Sequence, residues 1–249
     1  MMIFPIIEPS WSVPTSVKAL TTTRVGGRSL APYASFNLAE HAGDSLDGVV
    51  QNRLLLQSAL PSDVQLAWLD QQHTSRVVHF NQACLTKRVA DAVWSDQPNQ
   101  VCAVMTADCL PILLTSQSAR LVAAVHAGWR GLAHGVIEQT LSVLPDRPEN
   151  MIAWIGPAIS QDYFEVGQDV WDVFCADNAV NRRFFKTVSL HDAKFKADLP
   201  GLAKQQLNAL GVTQVYLSGM CSFAEASRFY SYRRDGQTGR MASLIWLQG

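Results

Sequence analysis

Val101–Leu132, VCAVMTADCLPILLTSQSARLVAAVHAGWRGL, sets the terms for the rest of the chain. It reads as two apolar strands, each delivering one reactive side chain to a strand end. Cys109 sits at a break in the first run, in Thr-Ala-Asp-Cys-Leu-Pro, and His126 ends the second, in Val-His-Ala-Gly-Trp-Arg-Gly. Asp108 before the cysteine and Leu-Pro after it suit a strand break better than a ladder interior. A cysteine in an apolar strand is usually a small buried hydrophobe. Cys84, Cys102, Cys175 and Cys221 lack the context of Cys109 and are read that way. After His126, Ala127 and Gly128 are small enough to let a ligand approach, and a helix start follows. Backbone N–H groups at such a start bind anions. Arg130 is near enough to add charge-assisted bonds, or to serve as an ordinary surface or ion-pair arginine.

The chain has 249 residues, 48% of them hydrophobic and 16% charged, which is enough to bury a substantial core. Its net charge is −1 with no Lys/Arg block, which argues against binding nucleic acid or a membrane surface. Five irregularly spaced cysteines do not make a disulfide framework, so a reducing compartment is expected. The segment MMIFPIIEPSW is apolar but lacks a basic stretch and is cut by Pro5, unlike a signal peptide. No apolar run approaches the roughly 20 residues of a membrane helix. The expectation is a cytoplasmic protein.

No internal repeat or linker divides the sequence, so one domain is expected over 1–249. Strands are expected at Val17–Thr23, Leu66–Leu69, Arg76–Phe80, Met151–Ile155, Val215–Leu217 and Ala242–Leu247. Helices are expected at Asp47–Leu60, carrying Val50, Leu54 and Leu55, at Gln168–Ala176 and at Leu199–Leu210 before Gly211. Another helical stripe follows Gly131 through Leu132, Val136, Ile137, Leu141 and Leu144. Ala90-Asp91-Ala92 lies among small residues, and Phe229–Asp235 is aromatic and basic. Helices and strands mix without strict alternation, which favours an α+β sandwich over a doubly wound sheet.

His73 falls in the connection between two strands. With Cys109 and His126 it makes a plausible Zn²⁺ set, two imidazoles and a thiolate, leaving a fourth tetrahedral position open as in catalytic sites. Their separations are long, so the fold must build the site. His134 belongs on the polar side of its helix, and His41, His79 and His191 have no supporting context.

TADCLPILL, AAVHAGWRGL, AWIGPAIS, FEVG and FYSYRRDGQTGRMASLIW, in that order, resemble the bacterial laccase-domain family. Its members have also been called polyphenol oxidases, purine nucleoside phosphorylases and peptidoglycan editing factors. The resemblance runs from Thr22-Thr23-Arg24-Val25-Gly26-Gly27 to Trp246. It implies a single-domain α/β/β/α sandwich with mixed β-sheets, similar to cysteine-dependent toxin catalytic domains. The family's Gln-x-His motif is matched by Gln71-Gln72-His73, which implies His73, Cys109 and His126 as metal ligands. Thr74 stands where the family usually has Gly; if that position needs a positive φ, Thr adopts it poorly.

The family's names disagree about chemistry. A multicopper laccase needs a trinuclear cluster built from His-x-His pairs, and this chain has six histidines and no such pair. A lone His₂Cys site still suits Cu²⁺ on ligand softness. The preferred reading, which the resemblance implies, is a zinc enzyme acting on purine nucleosides. In phosphorolysis of adenosine, inosine, guanosine or methylthioadenosine, Arg24 or Arg130 would balance the phosphate charge. In adenosine deamination a proton carrier is also required. Asp91 is the candidate, with Asp108 in reserve; either fits a structural carboxylate equally well. The partners expected are a nucleoside and phosphate, with no nucleic acid or membrane, and the protein is expected to be a monomer. The alternatives are a Cys109–His126 amidase that edits peptidoglycan precursors of the UDP-MurNAc-dipeptide type, and a non-catalytic zinc-binding module.

Overall fold

The run from Val101 to Ala127 divides into three strands rather than two, and its first break is where the chain passes from one sheet to another. The computed structural model describes residues 4–85, 88–189 and 191–249. The chain begins with β1 (Ile6–Ile7), β2 (Val17–Thr22) and α1 (Leu46–Ala59). Then come β3 (Gln65–Ala67), β4 (Val77–His79), α2 (Phe80–Leu85) and β5 (Ala92–Ser95). The central block is β6 (Gln100–Thr106), β7 (Leu110–Ser116) and β8 (Val122–Ala127), followed by α3 (Trp129–Ala133), α4 (Val136–Val143) and β9 (Met151–Ile155). β10 (Glu165–Val166), α5 (Gln168–Cys175), β11 (Phe185–Ser189) and β12 (Lys194–Ala197) come next. The chain closes through α6 (Leu199–Ala209), β13 (Gln214–Leu217), α7 (Tyr232–Asp235) and β14 (Met241–Leu247).

Two large mixed sheets result, ordered β1-β2-β14-β6-β3 and β13-β9-β7-β8-β5-β4, with a small sheet β10-β12-β11. β3–β6, β4–β5 and β9–β13 pair in parallel, and the remaining ladders are antiparallel. Successive side chains of a strand point to opposite faces. In β6, Cys102 and Val104 enter the core between the sheets with Leu113, Trp154 and Ile245. Val101, Ala103 and Met105 face outward into a second core shared with Leu20, Leu244 and Leu56 of α1. In β7, Ile112 and Leu114 pack outward against Ile137 of α4 and Leu202 of α6. The order is helix, sheet, sheet, helices: the α/β/β/α sandwich expected. Both faces of the central strands are buried, so their sequences are continuously apolar rather than alternating.

Several local expectations need correction. The helical stripe after Gly131 buries Leu132, Val136, Ile137, Leu141 and Leu144 as expected, but Gly135 (φ 76°) splits it into α3 and α4. The small-residue segment around Asp91 leads into a strand, β5, and Phe80 opens α2 rather than ending a strand. In α1, Val50 and Leu54 are 40% and 57% exposed, while Val49, Asn52 and Leu56 are buried. The reason is Asn52. Its Nδ2 lies within hydrogen-bonding distance of Ser29 Oγ (2.9 Å), Asn37 O (2.9 Å) and Ser35 O (3.1 Å), and its Oδ1 accepts from Arg28 N (2.7 Å). The loop below the helix turns this side chain inward, and the period-four apolar residues face out. Among the described residues no helix is long and apolar enough to cross a membrane.

Asn52→Ala leaves several of these buried groups unpaired, each worth about 1–3 kcal/mol. The expected loss, read by denaturant unfolding, is about 3 kcal/mol; a loss near zero would mean that the amide does not hold the 28–37 loop.

Candidate metal centre

The crossing between the two sheets is made by Ala107-Asp108-Cys109, between β6 and β7. Asp108 adopts a left-handed conformation (φ 89°), uncommon for a residue with a Cβ. Its environment fixes it there: Oδ1 accepts from Ser222 Oγ (2.6 Å), Oδ2 from Arg233 N (2.7 Å), and its carbonyl from Ile159 N (3.0 Å). Cys109 emerges from this turn. Pro111 follows just beyond the β7–β9 ladder, which starts at Ile112↔Ile155, so its missing donor costs the sheet little. His126 lies opposite Pro111 on β8.

His73 comes from the connection between β3 and β4. The Gln71 side chain ties this connection to the end of β6, donating to Met105 O and accepting from Met105 N, both at 2.8 Å. The left-handed residue of the loop is His73 itself (φ 59°), not Thr74. Thr74 therefore carries no strain where the family usually has Gly, and it gains a role. Its N–H and hydroxyl donate to Asp91 Oδ2 at 2.6 and 2.7 Å.

Asp91 is fully buried. It also accepts from Gln72 N (3.3 Å), His73 N (3.0 Å) and His126 Nδ1 (2.7 Å). One carboxylate thus fixes both histidines, His73 through its backbone and His126 through its ring. Occupying Nδ1 leaves Nε2 of His126 as the ligand atom. Burial pushes the Asp91 pKa up, but the bonds from His126 and Thr74 and the nearby imidazole charge outweigh it and hold the acid below the usual carboxylate range. The expectation that Asp91 carries protons in the cavity is corrected here: the group lies behind His126.

The ligand atoms of His73, Cys109 and His126 lie within 4.8 Å of one another, and Cys109 Sγ is 3.6 Å from His73 Nε2. Zinc bonds to sulfur and nitrogen place those two atoms about 3.5 Å apart in a tetrahedral site. Gly128 supplies a second test of fit. A Cβ there would stand 2.8 Å from His73 Cδ2 and 2.9 Å from Cys109 Sγ, so the glycine clears room for the ligand set. The residues present fit a bound metal. Of the other cysteines, Cys102, Cys175 and Cys221 are buried, while the Cys84 side chain lies outside the described residues.

These ligands border a cavity of about 560 Å³. Arg130 lines it, stacked 4.2 Å over the Trp129 ring. Arg24 does not line it: Nε and Nη1 donate to Ala34 O (3.1 Å) and Ala226 O (3.0 Å), and the guanidinium sits over Tyr230. Two of its donors thus hold loop carbonyls, away from the residues that line the cavity. Two arginines not singled out from sequence do line the cavity, Arg233 over Phe164 and Arg240 over Tyr232. Their signal was the aromatic and basic composition of the last segment. His41 and Asp108 also line it, whereas His134 is exposed as expected.

Burial pushes the Cys109 thiol up, but the His126 charge and hydrogen bonds from both histidines outweigh it and bring the thiol to about 6. Burial lowers His126, while the Cys109 thiolate and the Asp91 bond raise it to about 9. Without metal, the thiolate–imidazolium pair prevails between these values. Alkylation of metal-stripped protein at Cys109 is expected to fall as pH drops through about 6. A midpoint at the ordinary thiol value of about 8.5 would contradict the pairing. Gly128→Ala is expected to lower metal content, measured by elemental analysis, while leaving the unfolding temperature near wild type.

The family model described as multi-copper polyphenol oxidoreductase laccase matches residues 18–248. A Haemophilus influenzae relative named purine nucleoside phosphorylase is 47% identical over 242 residues, covering 97% of this chain and 99% of that protein. Purine nucleoside phosphorylase YfiH of Escherichia coli is 46% identical over 244 residues, covering 97% and 98%. The crystal structure of Neisseria meningitidis protein NMB0706 superposes with a TM-score of 0.94 at 45% identity, covering 98% of this chain and 99% of that one. YlmD from Geobacillus stearothermophilus gives 0.85 at 28% identity, with 100% of both chains covered. The chain belongs to the multi-copper polyphenol oxidoreductase laccase family, the group that includes the YfiH proteins.

Proposed function

We propose that the protein is a zinc-dependent purine nucleoside phosphorylase for adenosine, inosine, guanosine and methylthioadenosine, and that the same site deaminates adenosine. The observation that carries this reading is the His73–Cys109–His126 group bordering a cavity that also presents Arg130, Arg233 and Arg240. The relatives named purine nucleoside phosphorylase support it. Among the described residues this is the single group of three or more metal-ligating side chains, which does not suit a multicopper oxidase. Copper remains chemically compatible with the His₂Cys donors. Held by these three residues, zinc would supply Lewis acidity in both reactions.

In phosphorolysis a phosphate oxygen forms the new bond to C1′ as the C1′–N9 bond breaks, and its electron pair leaves with the purine. Arg130, held by Trp129, offers charge-assisted donors to the phosphate, and Arg233 and Arg240 add positive potential. Asp91 acts through His126 as a positioning residue. Deamination adds water at C6 and expels ammonia, so a carboxylate must move a proton to the leaving amine. Asp108 lines the cavity and is the candidate for that role, its Oδ1 in hydrogen-bond contact with the Ser222 hydroxyl.

One observation favours a second reading. Asp91 orients His126 beside the Cys109 thiol, the nucleophile–base–orienter order of a cysteine amidase acting on a peptidoglycan precursor. The two readings separate in one experiment: metal analysis of purified protein joined to product identification with nucleoside and muropeptide panels. About one zinc per chain is expected, with free base formed from inosine only when phosphate is present and inosine formed from adenosine without it. Amide cleavage that survives chelation and is lost in Cys109→Ser would establish the amidase instead. Copper with phenol oxidation would restore the polyphenol oxidase, and bound metal with no turnover would leave a binding module.

A further inference from the structure

Three half-buried arginines of this chain each meet a carboxylate: Arg53 pairs with Glu40 (2.6 Å), Arg228 with Glu225 (2.6 Å) and Arg234 with Asp235 (2.8 Å). Arg240 is half-buried too, but it lines the cavity beside the metal centre and makes no ion pair among the described residues. A cation drawn out of water without a counter-charge in contact is costly. Burial pushes the Arg240 pKa below the usual arginine value, opposed first by the charges of Cys109 and Asp108. Neither supplies a contact: both Asp108 oxygens are engaged, by Ser222 Oγ and Arg233 N, and Cys109 belongs to the metal-ligating group.

The guanidinium is already oriented. Nη1 carries two hydrogens, and two carbonyls take them, Thr238 O (2.7 Å) and Gly239 O (3.0 Å). The backbone beneath is fixed as well. Arg240 N donates to Asn37 Oδ1 (2.9 Å), and a Cβ on Gly239 would stand 2.7 Å from Tyr230 Cζ and 2.8 Å from Asn37 Cβ. The other edge, Nε and Nη2, donates to nothing among the described residues, yet neither nitrogen is sealed from solvent. Cζ lies 5.9 Å from the centroid of the Tyr232 ring, another wall of the cavity. Two parallel N–H donors on one edge match two oxygens of a single oxyanion. Arg130 and Arg233 are exposed, so water and salt screen their charges more effectively.

We infer that the Nε–Nη2 edge of Arg240 is the seat of inorganic phosphate, gripping two of its oxygens and leaving the others free toward the substrate. Arg240 is the fixed anchor, and Arg130 reaches the same anion from the exposed side. What the bound phosphate does rests on the nucleoside reading above; that it binds at Arg240 does not.

The test compares Arg240→Met and Arg240→Lys with wild type by calorimetric titration of the metal-loaded protein with inorganic phosphate, and by steady-state kinetics. Methionine is expected to weaken phosphate binding, and raise KM for phosphate, about a hundredfold. KM for inosine should rise far less, and adenosine deamination, which consumes no phosphate, should fall far less than phosphorolysis. Lysine keeps the charge but not the fork, and should still weaken phosphate about tenfold. It carries the test if the methionine variant does not fold. Zinc content equal to wild type shows that the loss is one of anion binding and not of the metal centre. Unchanged phosphate affinity in both variants, equal losses for phosphate and inosine with lowered zinc content, or wild-type protein that binds no phosphate would overturn the inference. Wild-type protein that binds phosphate through Arg240 but converts no nucleoside refutes the proposed function and leaves the anion seat standing.

Discussion

Asp91 is completely buried, yet its two oxygens accept from three successive backbone N–H groups, one hydroxyl and one imidazole. A buried carboxylate is tolerable only when its charge is met by such donors. The same bonds that keep it ionised hold the 72–74 loop against β5 and turn the His126 ring. Removing the charge would therefore loosen two ligands contributed by distant parts of the chain. The precision of the metal centre resides in this carboxylate more than in the ligands themselves.

The sandwich gives that carboxylate its setting. β5 and β8 are antiparallel neighbours in one sheet, and the His126 backbone N–H also donates to Asp91 O (2.7 Å). β6 belongs to the other sheet, and the crossing to β7 brings Cys109 from the boundary between the two. Gln71 secures the third ligand to that boundary through Met105. The site is thus assembled from residues 71–74, 91, 109 and 126, joined by hydrogen bonds that span the sheet junction. Gly128 leaves space at its centre that no other residue could leave.

Around this rigid base the cavity is built from a different part of the chain. Arg130 lies in α3, while Arg233 and Arg240 come from the closing segment, each guanidinium lying over an aromatic ring. The Asp108 carboxylate joins the two parts, binding the start of α7 to the turn that presents Cys109. The cavity is therefore lined by positive charge that is already oriented. Beside it the described residues offer a single group of three metal-ligating side chains.

The apolar runs of β6 to β9, the broken TADC turn and the Gly after His126 were legible in the amino-acid order, because burial on both faces and strand ends leave local marks. The grouping of His73, Cys109 and His126 and the layered fold were recognisable from long motifs. Other features had no local mark. Asp91 looked like a proton carrier until the fold showed it behind His126, since a carboxylate's role depends on which donors surround it. Arg24 sits in a prominent motif but does not line the cavity, whereas Arg233 and Arg240 reach it from a segment whose chemistry had no evident target. α1 turned its period-four residues outward because a buried Asn52, bound to a loop some 15 to 24 residues away in sequence, outweighed the apolar pattern. Sequence alone determined which segments are buried and which residue types could bind a metal. The tertiary structure decided which of those groups face one another, because hydrogen-bond partners and charge neighbours are set by contacts between distant strands.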